Sequence, residues 1–308
     1  MRYRNLLYFL VLSVVWGSAF TAIKAGLDHF PPVLFAALRF DLAGLLILAY
    51  AAYVSDRLRP RGRREWADVA ASGVLMIAGY HALLFVGEQY TTSAAAAVVV
   101  GLNPVATTAF ARTLLPDERL SPLGGVGLLL GLGGVVTLVG VDPAALATAR
   151  GAGIALVFGA TVAFSLGSVL SRRSGSALPT EASTAWSMLA GALVLHLGSV
   201  AFGEGMRGVT LVPEAVGALA YLAVVASGLG FLIYFDLLDR LGPVEINLVS
   251  YAAPVVAAAT GLLLLGEVPT VRTAVGFVVI CAGFALVKRE ALAREVGRLR
   301  RRGVGDEP

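Results

Sequence analysis

Ten apolar runs, each long enough to cross a hydrocarbon slab of roughly 30 Å, leave almost nothing of this chain to fold in water. They cover residues 6–27, 33–54, 67–87, 91–115, 122–140, 152–171, 182–202, 213–237, 243–265 and 271–287. The connections between them stay under about 20 residues, too short for an aqueous domain. With 57% of residues hydrophobic and only 14% charged, a soluble core is excluded. In lipid every backbone N–H and C=O must find a partner within the protein, and a helix does this inside one segment. The expected fold class is an all-α integral membrane protein with ten transmembrane helices. The first run follows Arg2 and Arg4 as a secretory leader would, but it is long and lacks a small-x-small cleavage site, so it reads as a retained first helix. The single cysteine, Cys281, can form no intramolecular disulfide and reads as a packing residue.

Basic residues set the orientation, because positively charged flanks stay cytoplasmic during insertion. With the N-terminus inside, the inner segments hold Arg2, Arg4, the cluster Arg57, Arg59, Arg61, Arg63 and Arg64, then Arg112, Arg119, Arg172, Arg173 and Arg240. The outer ones hold Arg150, Arg207 and Arg272. Both termini are therefore expected in the cytoplasm, with the protein in the cytoplasmic membrane. The basic tail, residues 288–308, is expected to lie on the anionic inner leaflet, which accounts for the net charge of +4 without a nucleic-acid partner.

The chain is also an internal duplication. Asn103-Pro104, Asp117-Glu118 and a Gly-rich apolar run recur as Ala253-Pro254, Gly266-Glu267 and a second Gly-containing run. Setting Pro104 on Pro254 matches Glu118 with Glu267, Gly127 with Gly276 and Gly134 with Gly283 after a single-residue gap; upstream, Trp16 falls opposite Phe164 and Lys24 opposite Arg172. The repeats span residues 6–140 and 152–287. Each holds five spans, and five is odd, so the second must enter the membrane from the opposite side. Two inverted five-helix repeats follow.

Trp16-Gly17-Ser18-Ala19-Phe20, continuing through Lys24, Pro31-Pro32 and Arg39-Phe40, resembles the opening of the EamA-type branch of the drug/metabolite transporter superfamily. Both Pro…Glu…Gly-rich segments resemble the ends of its two repeats, and the resemblance covers about residues 6 to 287. It implies ten helices, an inverted five-helix repeat and alternating-access transport of small organic metabolites, commonly export.

Depth selects the residues that need a functional account, since a polar group in hydrocarbon costs at least a few kcal/mol. Asp41 lies roughly 12 Å from the outer end of the second span at 1.5 Å per residue, with Arg39 just above it. Two positions apart they do not face each other, so each is expected to partner another helix, either as a structural polar lock or in a substrate or proton role; Asp41 is the first expectation for coupling. His81, at a similar depth in the third span, can titrate, bind a substrate carboxylate, or bond a backbone carbonyl. His196 in the seventh span has weaker grounds, having no second ionisable residue on its helix.

Pro104 and Pro254 are expected as interior helix kinks in the fourth and ninth spans, freeing the carbonyls of Val100 and Ser250 toward a cavity. Asn103 is then a substrate contact or a bridge between helices. Trp16 and Tyr80 are expected to wall the cavity or simply to pack, with Asn247 and Tyr251 as second-repeat equivalents. Lys24 reads as a snorkelling residue or an outer gate, and Glu118 and Glu267 as helix-end features. Gly124, Gly127, Gly131 and Gly134 make a smooth face for close helix contact, within the protomer or in a homodimer.

Absences narrow the function further. A nucleotide-binding Gly-x-x-x-x-Gly-Lys loop is missing, and three scattered histidines with one cysteine give no metal-ligand spacing. No cofactor or metal is expected. An intramembrane serine hydrolase can be assembled only by pairing Ser72 or Ser227 with His81 or His196, without a nucleophile-elbow pattern. The expectation is a secondary transporter, not an enzyme, moving an amino acid or related compound outward. A sugar or phosphorylated-metabolite exchanger of the same fold and a non-transporting membrane protein are the alternatives.

Overall fold

A computed structural model describes residues 2–114, 122–139, 147–241, 249–287 and 289. The described chain is helical. We label its rods α1 (Arg2–Leu27), α2 (Pro32–Val54), α3 (Gly62–Glu88), α4 (Ser93–Leu114), α5 (Pro122–Val139), α6 (Ala149–Ser174), α7 (Thr180–Ala201), α8 (213–241), α9 (Val249–Leu265) and α10 (Val271–Val287). Seven, namely α1 to α4 and α6 to α8, are long and apolar enough to cross a membrane; α5, α9 and α10 are apolar helices shorter than that threshold among the described residues. Their outward faces are greasy: Leu129, Leu197, Leu263 and Val278 are exposed, as suits side chains against lipid.

The rods pair as an internal twofold axis requires. α2 lies against its own equivalent α7, and α5 against its equivalent α10; α1 packs on α9 while α6 packs on α4. α3 rests on α6 and α7, and α8 correspondingly on α1 and α2. Glycines show the direction of each crossing. A Cβ on Gly134 would stand 2.9 Å from the Gly276 carbonyl oxygen, and one on Gly283 would stand 2.6 Å from that of Gly127. The chain therefore runs up α5 as it runs down α10, and because these are corresponding helices the repeats are inverted. The expected glycine stripe serves this contact within the protomer. Gly44 against Leu189 and Gly198 against Val33 give the same antiparallel result for α2 and α7.

Both third helices contain a π-helical stretch at the corresponding place, Ser72–Gly79 in α3 and Tyr221–Leu229 in α8. Wide turns of this kind displace carbonyls from α-helical pairing and occur often at functional sites. The fourth helix is interrupted outright. It runs from Ser93 to Val100, turns at Gly101 and Leu102, and restarts at Asn103.

This corrects one expectation. Pro104 is no interior kink; it is the second residue of a new helix, where its missing N–H is one of the donors a helix start leaves unpaired in any case. Pro254 does lie inside α9. The two places still meet, since a Cβ on Gly101 would sit 3.4 Å from the Ser250 carbonyl oxygen.

Acidic side chains of the second repeat hold helix starts of the first. Glu204 accepts from the backbone N–H groups of Val33 and Leu34 at 3.3 and 2.8 Å, and Glu267 accepts from Ser93 N at 2.9 Å. A carboxylate at a helix N-terminus satisfies orphan donors and meets the positive end of the helix dipole. Near the start of α3, Asp68 accepts from the hydroxyls of Ser171 and Ser183, tying α3 to α6 and α7. The Arg57 guanidinium forms a two-pronged pair with Glu65, both bonds at 2.7 Å.

Gly134→Ala is expected to lower stability in detergent by roughly 1–3 kcal/mol, because the new methyl group meets backbone that cannot yield. Gly133→Ala, one position away with nothing within 4 Å of its Cβ, is expected to leave the melting temperature equal or higher.

Candidate functional site

The two π-helical stretches each give one carbonyl to an aromatic nitrogen. In α3 the Nδ1 of His81 lies 2.9 Å from the Ile77 carbonyl oxygen, so Nδ1 carries the proton and donates. In α8 the indole Nε1 of Trp16 donates to the Ala226 carbonyl oxygen at 3.1 Å. Ile77 and Ala226 both sit five residues into their stretches, so the two bonds occupy equivalent places in the repeats. They are carried by different residues, one on the same helix and one from α1. The Trp-Gly-Ser segment is thereby explained: Trp16 and Ser18 reach α8, the latter with its hydroxyl 2.6 Å from Tyr221 Oη, while Gly17 lets α1 approach α9 at Ala253 and Val256.

Between these points lies Arg39, only 7% exposed. Its Nε donates to Ser227 Oγ at 3.1 Å, and its guanidinium sits 5.0 Å from the centre of the Phe40 ring. Among the described residues nothing accepts from Nη1 or Nη2. Aromatic rings fill the neighbourhood. His81 stands edge-on to Phe40 at 4.3 Å and to Tyr80 at 4.5 Å, Tyr80 leans on Phe164 at 5.3 Å, and Trp16 meets Phe231 and Tyr234 at 5.9 and 5.4 Å. Trp16, Arg39, Tyr80 and His81 are thus gathered around the π-helical turns, together with Ser227 and Tyr221.

Asp41 is elsewhere. Its Oδ2 lies 2.6 Å from Nε2 of His196, at the edge of the α2–α7 seam where both side chains are about two-fifths exposed among the apolar residues Leu42, Leu45, Leu193 and Leu197. The expected partner on another helix is His196. Asn103 receives the Ser165 hydroxyl at its carbonyl and side-chain oxygens, 3.3 and 3.4 Å away, which makes it a bridge to α6. Tyr251 packs on Phe284 at 4.5 Å. Asn247 and Glu118 lie outside the described residues.

A second polar cluster sits where α1 and α3 end. Lys24 does not snorkel: its ammonium donates to the carbonyl oxygens of Glu88, Gln89 and Thr91 at 2.7, 3.2 and 3.0 Å, closing the C-terminus of α3. The Glu88 side chain is fully buried, and neither carboxyl oxygen has a hydrogen-bond partner. Its ionisable neighbours are Lys24, Arg39 and Glu267. Glu88, Tyr221 and the Arg39–Ser227 bond are what the sequence reading missed. Glu88 falls one residue past an apolar run and therefore reads as interfacial. The other two require knowing that α8 crosses α1 and α2.

The sequence pattern of the EamA-like transporter family matches residues 4–140 and 151–289, nearly the whole chain and once per repeat. This protein belongs to that family. It is 31% identical over 274 residues to the uncharacterized inner membrane transporter YedA of Escherichia coli K12, covering 87% of this chain and 86% of that one. It is also similar to an uncharacterized transporter of Archaeoglobus fulgidus, 28% identical over 89% of this chain and 95% of that one. YoaV of Bacillus subtilis, another uncharacterized transporter, is 24% identical over 88% and 92%. A crystal structure with 27% identity superposes with a TM-score of 0.66 and covers 94% of this chain and 99% of that one. The EamA-family protein described here is a multi-pass membrane transporter.

Lys24→Met, which strips three carbonyls of their donor, is expected to cost roughly 1–3 kcal/mol in detergent melts. Glu88→Gln is expected to stay within about 1 kcal/mol of the parent or to exceed it, since an ionised carboxylate gains nothing where no donor reaches it.

Proposed function

We propose that this EamA-family protein is a secondary transporter that exports a small organic metabolite, an amino acid or a related compound, across the cytoplasmic membrane by alternating access. Both termini are cytoplasmic and the basic tail rests on the anionic inner leaflet. The observation that carries the reading is the cluster around Arg39, Ser227, Trp16 and His81: polar groups buried where helices of both repeats cross, beside π-helical turns and next to an interrupted helix. Irregular backbone at matching places in inverted repeats is the arrangement on which transporters build their sites.

Substrate binds between the repeats, against Trp16, Arg39, Tyr80 and His81. Rocking one repeat against the other about the glycine seams then exposes it to the opposite side. Asn103, Asn247 and Tyr251 belong to the same proposal as residues around the α4 interruption and the start of α9. The Asp41–His196 pair belongs to the proposal as the proton-coupling element, its imidazole and carboxylate lying in direct contact between α2 and α7.

The alternatives are less well supported. An exchanger of phosphorylated metabolites needs several free basic groups, whereas Lys24 is already held by three carbonyls. A serine hydrolase needs a histidine on its nucleophile, whereas the Ser227 hydroxyl accepts from Arg39, His81 bonds the Ile77 carbonyl and His196 meets Asp41.

Liposomes containing the protein and loaded with a panel of amino acids and related metabolites are expected to release one chemical class. Release should quicken with a pH gradient in the parent, and Asp41→Asn should remove the gradient dependence. Trp16→Phe, which leaves the Ala226 carbonyl without its indole, is expected to slow release about tenfold, equivalent to roughly 1.4 kcal/mol. Absence of release from any load would end the transport proposal, and unchanged gradient dependence in Asp41→Asn would leave that pair as a structural lock.

A further inference from the structure

Arg39 carries a buried positive charge that no carboxylate among the described residues pairs with. The side chain is 7% exposed and starts about 11 Å below the outer end of α2 at 1.5 Å per residue, so its charge lies well inside the membrane thickness. A guanidinium has five N–H donors in a rigid fork. One reaches Ser227 Oγ; the four on Nη1 and Nη2 meet no acceptor among the described residues. Neither nitrogen is completely sealed off by the surrounding atoms.

Neither nearby carboxyl serves as counter-ion. Asp41, two positions on, is engaged with His196. Glu88 is close enough to feel the charge, but it forms no ion pair with Arg39 and its own oxygens are sealed and unbonded. Leaving a buried guanidinium so placed costs several kcal/mol unless something else meets it.

The charge is also one-sided. Pro31 and Pro179 precede α2 and α7 in the same extended backbone conformation, which sets Arg39 opposite Ser187 in the other repeat. A scaffold built twice with a charge placed once matches a ligand that has one charged end. The remainder of the surroundings is aromatic: Phe40, Tyr80, His81 and Trp16.

We infer that the Nη1–Nη2 edge of Arg39 is the subsite for a substrate carboxylate, with the aromatic residues around it receiving an apolar or aromatic body. The inference rests on the transport reading above and names its substrate class. A carboxylate accepts two parallel N–H bonds from the fork and balances the single charge, whereas a phosphate dianion would leave one negative charge buried without a partner.

The test uses the purified full-length protein in detergent. Binding is measured by calorimetry and by melting temperature for phenylalanine, leucine, phenylpropionate and isocaproate, for the amide of each, and for inorganic phosphate. The acids are expected to bind and raise the melting temperature, and their amides to bind about 100-fold more weakly, the loss of a charged two-point contact. Arg39→Lys, which keeps the charge without the fork, should weaken the acids about tenfold, and Arg39→Gln should abolish their binding. Acids and amides of equal affinity, tighter binding of phosphate, binding of none of the acids, or full affinity in Arg39→Gln would each overturn the inference. If Arg39→Gln does not fold, the acid-to-amide ratio of the parent protein decides alone. Acid-selective binding without flux in liposomes would end the transport reading and keep the subsite; flux confined to amides would do the reverse.

Discussion

Inside hydrocarbon there is no water to take an unused N–H or C=O, and each such group costs several kcal/mol. The helices of this protein answer most of that demand. What remains gathers where regular hydrogen bonding stops: the π-helical turns in α3 and α8, the interruption of α4 and the helix ends. At these places side chains step in, from another helix or from the next turn of the same one. Trp16 takes the Ala226 carbonyl, His81 that of Ile77, Glu267 the N–H of Ser93, and Lys24 the carbonyls ending α3. Most of these bonds join different helices, and those of Trp16 and Glu267 join the repeats, as do the two that Glu204 accepts from the start of α2.

Inversion sets how those bonds are shared. Glycine seams let α5 and α10, and α2 and α7, approach as antiparallel pairs of equivalents, so the bulk of the scaffold is doubled. The chemistry is not doubled. A histidine serves one π-helical turn and a tryptophan the other, and Arg39 has a serine for its counterpart. The frame is close to symmetric, and the side chains set into it at the π-helical turns are not.

The apparent pairing of Arg39 and Asp41 in the sequence shows what spacing can and cannot tell. Two residues apart on a helix, they were expected to face different neighbours, and they do. Spacing did not reveal that one would be buried against Ser227 and the other would meet His196 at a half-exposed seam. The proline pair teaches a related lesson. Recurrence marked both places correctly as special, and Gly101 does approach Ser250, but a proline reads the same whether it bends a helix or begins one.

Composition and period alone determined the solvent and the class of fold, because apolar runs of membrane length admit few structures other than helices. Recurrence of Pro, Glu and Gly at constant spacing, with an odd number of spans per copy, determined that the repeats are inverted. The tertiary structure decided which polar residues share a site. Ser227 and Tyr221 became partners of Arg39 and Ser18 because α8 crosses α1 and α2, contacts about 190 to 200 residues apart in sequence. Glu88 lies one step beyond an apolar run yet is fully buried under neighbouring helices. Periodicity records how each helix meets its surroundings on average, whereas the meeting of two side chains from distant helices depends on crossing points that no single segment encodes.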